Sequence, residues 1–175
     1  MILSRKWCMP SSDTFSIKPI KQKIQEYINN LPPSSIIVDP FVRNSPFKHL
    51  CYSNDLDPDI EANQHMDALD FLKSIKPNSV HLLLFDPPYS PRQVSEVYKK
   101  MKRTVNMETT QSSFWSKLKA EIARIMIPGG HVITCRWNSG GIGKTLKFEI
   151  VEIMLVPHGG WHNDTIVTIE KYNKN

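Results

Sequence analysis

The stretch Val80–Ser90, V-H-L-L-L-F-D-P-P-Y-S, constrains this chain more than any other. Leu82 to Phe85 is an unbroken apolar run, the pattern of a central strand buried on both faces. Asp86 follows at once, and then Pro87 and Pro88, neither of which can donate to a strand ladder. The strand therefore ends there, and Asp86 stands at the mouth of the sheet and not in its core. The prolines stiffen the backbone beyond the acid and leave carbonyl oxygens with no adjacent amide donor. Tyr89 adds a flat ring and a hydroxyl. A rigid, acceptor-rich notch beside a stacking surface suits a planar group that carries an amine.

The same device recurs upstream. Ser35–Val38 reads as a short branched strand that ends at Asp39-Pro40-Phe41, and Leu50–Ser53 as another that ends at Asn54-Asp55-Leu56-Asp57-Pro58. An acid after the second strand of a doubly wound sheet is placed to hold ribose hydroxyls, and Asp55 is preferred to Asp57 for that role. His65-Met66-Asp67-Ala68 supplies a fourth acid before a brief helix over Leu69–Ile75. Asp39, Asp55, Asp67 and Asp86 are thus expected to line one crevice. Four acids favour a ligand with amines and hydroxyls over a bare phosphate.

The flanking chain completes an α/β pattern. Residues 14–20, T-F-S-I-K-P-I, lead through Lys18-Pro19 into a helix near Ile20–Tyr27, with Ile20, Ile24 and Ile28 on one face. A helix over Phe114–Ile127 is closed by Pro128-Gly129-Gly130. A strand over His131–Cys135 then leads to Trp137-Asn138 at its end. Phe148–Val156 and Thr165–Glu170 read as an antiparallel pair closing one sheet edge, with Trp161-His162-Asn163-Asp164 organising the turn between them. Residues 1–13 read as peripheral, and no linker divides residues 1–175, so a single domain is expected. Residues 92–113 read as a helix plus a mobile flap. Their first part is basic, with Arg92, Lys99, Lys100, Lys102 and Arg103 against Glu96 alone, which suits contact with phosphates.

Several function classes fall away. The formal net charge of +5 is compatible with a nucleic-acid partner. Cys8, Cys51 and Cys135 are odd in number and widely spaced, so neither a disulfide framework nor a metal site is expected, and a cytoplasmic setting follows. No run approaches membrane-spanning length. Gly141-Ile142-Gly143-Lys144-Thr145 lacks the full spacing of a phosphate loop, because Asn138 stands where its first glycine belongs. No nucleophile-elbow sequence accompanies His162 and Asp164, so a hydrolytic triad is not expected.

Asp86-Pro87-Pro88-Tyr89 resembles the catalytic motif of the S-adenosylmethionine-dependent amino-methyltransferases, in the form typical of the DNA adenine-N6 members. Asp39-Pro40-Phe41 resembles their cofactor motif, and Phe15-Ser16-Ile17-Lys18-Pro19 their N-terminal Lys-Pro motif. The three occur in the family's order, and the whole pattern is similar to the small phage- or mobile-element-type adenine methyltransferases. The resemblance implies a Rossmann-like class I methyltransferase fold, with a mostly parallel sheet and an antiparallel C-terminal hairpin. It implies S-adenosylmethionine as cofactor, DNA as partner, and no metal. Asp86, Pro87 and Tyr89 would be catalytic. Thr14, Lys18, Asp39, Phe41, Asp55 and Asp67 would hold the cofactor. Pro88, Ser90, Arg92, Trp137 and Asn138 would border the substrate.

The nearest alternatives are methylation of adenine or guanine in RNA and an inactive scaffold of the same fold. Cytosine-N4 and protein-nitrogen methylation rank lower. With no separate target-recognition domain, a homodimer or a partner subunit is an expected way to enlarge the DNA surface. One departure stands out: where the family continues D-P-F-x-G-S-G, this chain has Arg43-Asn44-Ser45-Pro46. Asn44 tolerates a left-handed backbone, whereas Arg43 and Pro46 impose constraints.

Overall fold

A computed structural model describes residues 1–88 and 112–173. Tyr89, Ser90, Arg92 and nearly all of the basic stretch expected to form a helix and flap lie outside the described residues. Among the described residues, seven strands form one sheet: β1 (Ile2–Arg5), β2 (Ile37–Asp39), β3 (Tyr52–Ser53), β4 (Val80–Phe85), β5 (Met126–Arg136), β6 (Phe148–Val156) and β7 (Thr165–Tyr172). Their order is β1-β6-β7-β5-β4-β2-β3. Every neighbouring pair is parallel except β5–β7 and β6–β7, so β7 alone runs against the rest. The mostly parallel sheet with an antiparallel C-terminal hairpin is the one the sequence reading expected.

Two α-layers follow from the alternation of side chains along β4. Leu82 and Leu84 face one side, packing with Ile20 and Ile24 of helix α1 (Lys18–Asn29). Leu83 and Phe85 face the other, packing with α2 (Ala68–Ser74) and α3 (Ser112–Ile125) through Phe71, Leu72, Leu118 and Ile122. These four side chains are fully buried. At about 1.5–3 kcal/mol for each large apolar side chain removed from water, this strand anchors both layers. Arg124 of α3 donates to the carbonyls of Leu72 (2.9 Å) and Ile75 (3.0 Å), satisfying the C-terminal end of α2.

Three local expectations are corrected. Residues 1–13 are not merely peripheral, because Ile2–Arg5 adds the outermost strand beside β6. The hairpin therefore does not close the sheet; β1 does. Helix α3 stops at Ile125, and Pro128-Gly129-Gly130 belongs to β5, opposite a register shift between Val80 and Leu82. Gly130 is needed there, since a Cβ would meet the His81 and Ile127 carbonyl oxygens at 3.1 Å. The strand expected over Leu50–Ser53 is cut to Tyr52–Ser53, because Lys48–Leu50 forms a tight 3₁₀ turn.

The chain passes from β2 outward to β3 and returns to β4 on the other side of β2. The carboxyl ends of β2 and β4 thus flank a topological switch point, where open α/β sheets place their ligands.

Candidate functional site

At that switch point lies a cavity of about 880 Å³, running along the carboxyl edge of the parallel strands. Asp86, Pro87 and Pro88 line it directly after β4, where the double proline ends the strand. Thr14, Phe41, Asp55, Asp67 and Trp137 line it as well, so the cavity gathers eight of the residues singled out from sequence.

Asp39 is placed differently. It is 0% exposed and lies behind the wall that Pro40 and Phe41 form. Its Oδ1 accepts from the Phe41 amide (3.1 Å), while its Oδ2 is buried without a partner. Burial pushes its carboxyl well above the ordinary range, and the nearby Asp86 and Asp55 charges push the same way, against the pull of the Phe41 amide. Lys18 is exposed as the first residue of α1, and it is not among the cavity-lining residues. Asn138 is exposed too; its Oδ1 accepts from the Gly140 amide (2.9 Å) and shapes the turn after β5.

The acid wall is held by backbone donors. Asp55 Oδ2 accepts from the Arg43 amide (3.0 Å) and its Oδ1 from the Asp57 amide (2.9 Å). Asp67 is the N-cap of α2 and accepts from the Leu69 amide (2.9 Å). Arg43, not Asn44, takes the left-handed backbone, with φ +44°. A non-glycine residue there costs on the order of 1–3 kcal/mol and persists only when its surroundings hold it. The bond from Asp55 to the Arg43 amide provides that hold.

Sequence reasoning missed Asn54, which is 1% exposed. Its Nδ2 donates to the carbonyls of Pro40 (3.2 Å) and Met66 (3.0 Å), and its Oδ1 accepts from the Met66 amide (3.1 Å). One side chain thus ties the end of β2 and the entry to α2 to the end of β3. The available signal was a polar residue directly after a short strand, beside the acid that drew attention instead.

The opposite wall is aromatic. Phe114 and Trp115 of α3, Trp137 after β5, and Trp161, His162 and Asn163 between β6 and β7 all line the cavity. The Arg136 guanidinium lies 5.2 Å from the centre of the Trp115 ring, a cation–π contact. The segment 161–164, expected only to organise a turn, therefore also contributes to the cavity. Phe114 was expected only as part of the helix face, and the neighbouring Trp115 drew no reading from sequence.

The glycine-rich stretch after β5 has its own internal anion. Buried Glu170 of β7 accepts from the amides of Ile142 (2.5 Å) and Gly143 (2.9 Å). A Cβ at Gly141, whose φ is +44°, would overlap that carboxylate. Burial raises the Glu170 carboxyl, while the two amides and Lys119 draw it down. The loop's amides face a protein carboxylate, which agrees with the rejection of a phosphate loop.

No protein-family model matches this sequence, and no curated protein matches it. Solved structures do. A SAM-dependent methyltransferase from Archaeoglobus fulgidus superposes with a TM-score of 0.60 at 12% identity, over 88% of this chain and 93% of that one. TrmN from Thermus thermophilus gives 0.59 at 14% identity; the match covers 89% of this chain and about half, 49%, of TrmN. A 1,6-didemethyltoxoflavin-N1-methyltransferase from Burkholderia thailandensis, solved with S-adenosylhomocysteine, gives 0.58 at 9% identity, over 90% of this chain and 78% of that one. At such identities the likeness is one of fold: the chain has the Rossmann-like class I methyltransferase architecture. Among the described residues, no helix is long and apolar enough to cross a membrane.

Proposed function

We propose that this protein transfers a methyl group from S-adenosylmethionine to the exocyclic N6 of adenine in DNA. The observation that carries the reading is the placement of Asp86-Pro87-Pro88 in the same cavity as the Asp55, Asp57 and Asp67 wall, at the switch point of a methyltransferase fold.

The residues present fit the cofactor. Asp55, Asp57 and Asp67 offer acceptors for hydroxyls and an amine, and Ile60, Met66, Ala68 and Phe41 offer apolar surface to a flat ring. When bound, S-adenosylmethionine supplies a methyl group already activated by its sulfonium. The protein's task is then to present the nucleophile.

An adenine amine is conjugated with its ring, and its lone pair is a poor nucleophile. Asp86 and the Pro87 carbonyl each accept one of its hydrogens, orienting the nitrogen and favouring the electron distribution needed for attack. The prolines keep these two acceptors fixed, because their φ angles are locked. The base leaves the duplex to reach the notch. In this reading Tyr89 is the stacking partner of the base, Trp137 borders it, and Ser90 and Arg92 are further substrate contacts. Thr14, which lines the cavity, stands toward the methionine end.

The deciding experiment incubates the protein with labelled S-adenosylmethionine and either DNA or RNA of the same mixed sequence, and then identifies the modified base. N6-methyladenine in DNA is the expected product. Methylated RNA with unmodified DNA would replace the substrate in this reading. A folded protein with no calorimetric binding of S-adenosylmethionine would favour the scaffold role instead, for which the non-glycine Arg43 is the specific argument.

A further inference from the structure

The cavity does not end at the cofactor and base. It continues past β5 and β7 to the turn after β6 and the segment after β1, where Trp161, His162, Asn163, Pro10, Ser11 and Ser12 line it. Trp161 is 102% exposed and Trp7 62% exposed. Exposed apolar rings grouped beside a cavity mark an interaction surface.

The group is built and not frayed. Gly159 (φ +71°) and Gly160 (φ +59°) form a tight turn, closed by the His162 amide donating to the Gly159 carbonyl (3.3 Å). A Cβ on Gly159 would lie 3.6 Å from Trp7 Nε1, so the Trp7 indole rests on the same turn that carries Trp161. Buried His158 locks the two segments together. Its Nδ1 lies 2.8 Å from the Cys8 carbonyl oxygen, which can only accept, so Nδ1 carries the proton. Its Nε2 lies 2.8 Å from the Thr165 hydroxyl. The amides of Lys6 and Cys8 continue the ladder beyond β1, donating to Leu155 (2.9 Å) and Pro157 (3.2 Å).

We propose that Trp161 and Trp7, with the exposed Arg5 and Lys6 that precede Trp7 in the chain, form a stacking ridge for the DNA strand that flanks the target base. This rests on the reading of the cavity as a base-accepting site. The occupant follows from the chemistry. Flat apolar faces flanked by cations match bases flanked by phosphates, and indoles give stacking energy without demanding one base. An apolar protein partner would have to desolvate Arg5 and Lys6 instead. Spacing agrees as well. Three strand steps separate β4 from β6, about 14 Å at sheet spacing. That corresponds to roughly four stacked nucleotides at about 3.4 Å each. The ridge therefore meets neighbours of the target and not the target itself.

The test measures binding of a labelled adenine-containing DNA oligonucleotide by anisotropy, using the full chain and Trp161→Ala, Trp161→Phe, Trp7→Ala and Arg5→Ala/Lys6→Ala. Trp161→Ala should weaken binding about tenfold, Trp161→Phe should restore most of it, and Trp7→Ala should fall between them. The double cation variant should flatten the salt dependence by about two phosphate contacts. Calorimetric affinity for S-adenosylmethionine should be unchanged in all of them. Indole variants that bind DNA as tightly as wild type, while wild type methylates it, overturn the ridge alone. So does a Trp161→Ala protein that changes only its oligomeric state. A wild type that neither binds nor methylates DNA removes the underlying reading, and the ridge with it.

Discussion

From the switch point toward β3 the crevice wall is carboxylate; from β5 toward β1 it is aromatic. The acid side is held from behind. Asp55 and Asp67 accept from main-chain amides, Asn54 clamps three segments, and Asp39 sits buried beneath. The aromatic side projects outward, with Trp137 44% exposed and Trp161 wholly so. Directional acceptors suit a small ligand with defined hydroxyls and amines. Open ring faces suit a polymer whose units all present similar faces. The difference implies that the two halves discriminate by different means, and that each should fail in its own way when altered.

The largest effect is expected where the halves meet. Asp86→Ala should lower turnover about 10²–10³-fold, the loss typical of removing one preorganised polar group from the reacting atoms. Cofactor affinity, measured by calorimetry, should barely move. A variant that kept wild-type turnover would break the assignment of Asp86 as the amine acceptor.

Next comes the carboxylate hold on the strained loop. Asp55→Ala should weaken cofactor binding about tenfold, because Arg43 loses the partner that offsets its left-handed backbone. In an Arg43→Gly background the same change should cost markedly less, since glycine needs no such hold. Strict additivity in this double-mutant cycle would mean that Asp55 touches the ligand without supporting the loop.

Smaller again is a pH effect from Asp39. Its raised carboxyl keeps a proton in the folded chain that the unfolded chain has already released. Its stability contribution is therefore full below the ordinary carboxylate range near pH 4 and is lost as pH rises through the raised value. Asp39→Asn should flatten this decline, and thermal melts across that window should gain on wild type by a few degrees at the upper end. A parallel pair of curves would contradict the burial argument. The smallest change should come from Trp137→Ala. It should raise KM for DNA about threefold, as loss of a half-exposed aromatic contact does, with kcat and cofactor affinity retained.

What the sequence made legible was local. The end of β4 just before Asp86 follows from proline chemistry alone, and Phe148–Val156 follows from its apolar branched residues. Helix α1 was legible from Pro19 and the Ile20–Ile24 spacing. The likeness between motifs ordered the acids along one edge before any strand was placed. What stayed hidden depends on partners distant in the chain. Ile2–Arg5 becomes a strand because β6 is there to receive it, and four mixed residues carry no such information. Pro128-Gly129-Gly130 looked like a terminator, yet it is absorbed by a register shift in its neighbour. The left-handed residue was sought at Asn44 on intrinsic preference, but the carboxylate of Asp55, twelve positions away, selects Arg43. Phe114 and Trp161 looked like a helix face and a turn, and only the assembled crevice turns them toward a common space.

The bond between His158 and Cys8 joins residues 150 positions apart. During synthesis β1, with its apolar Ile2 and Leu3, finds no edge to join until β6 has been made. At ribosomal speeds that interval is on the order of ten seconds. Such a segment is a late arrival on the folding pathway, and a sticky one while it waits. Expression yield at elevated temperature should thus depend on Ile2 and Leu3 far more than their exposed positions in the finished protein would suggest.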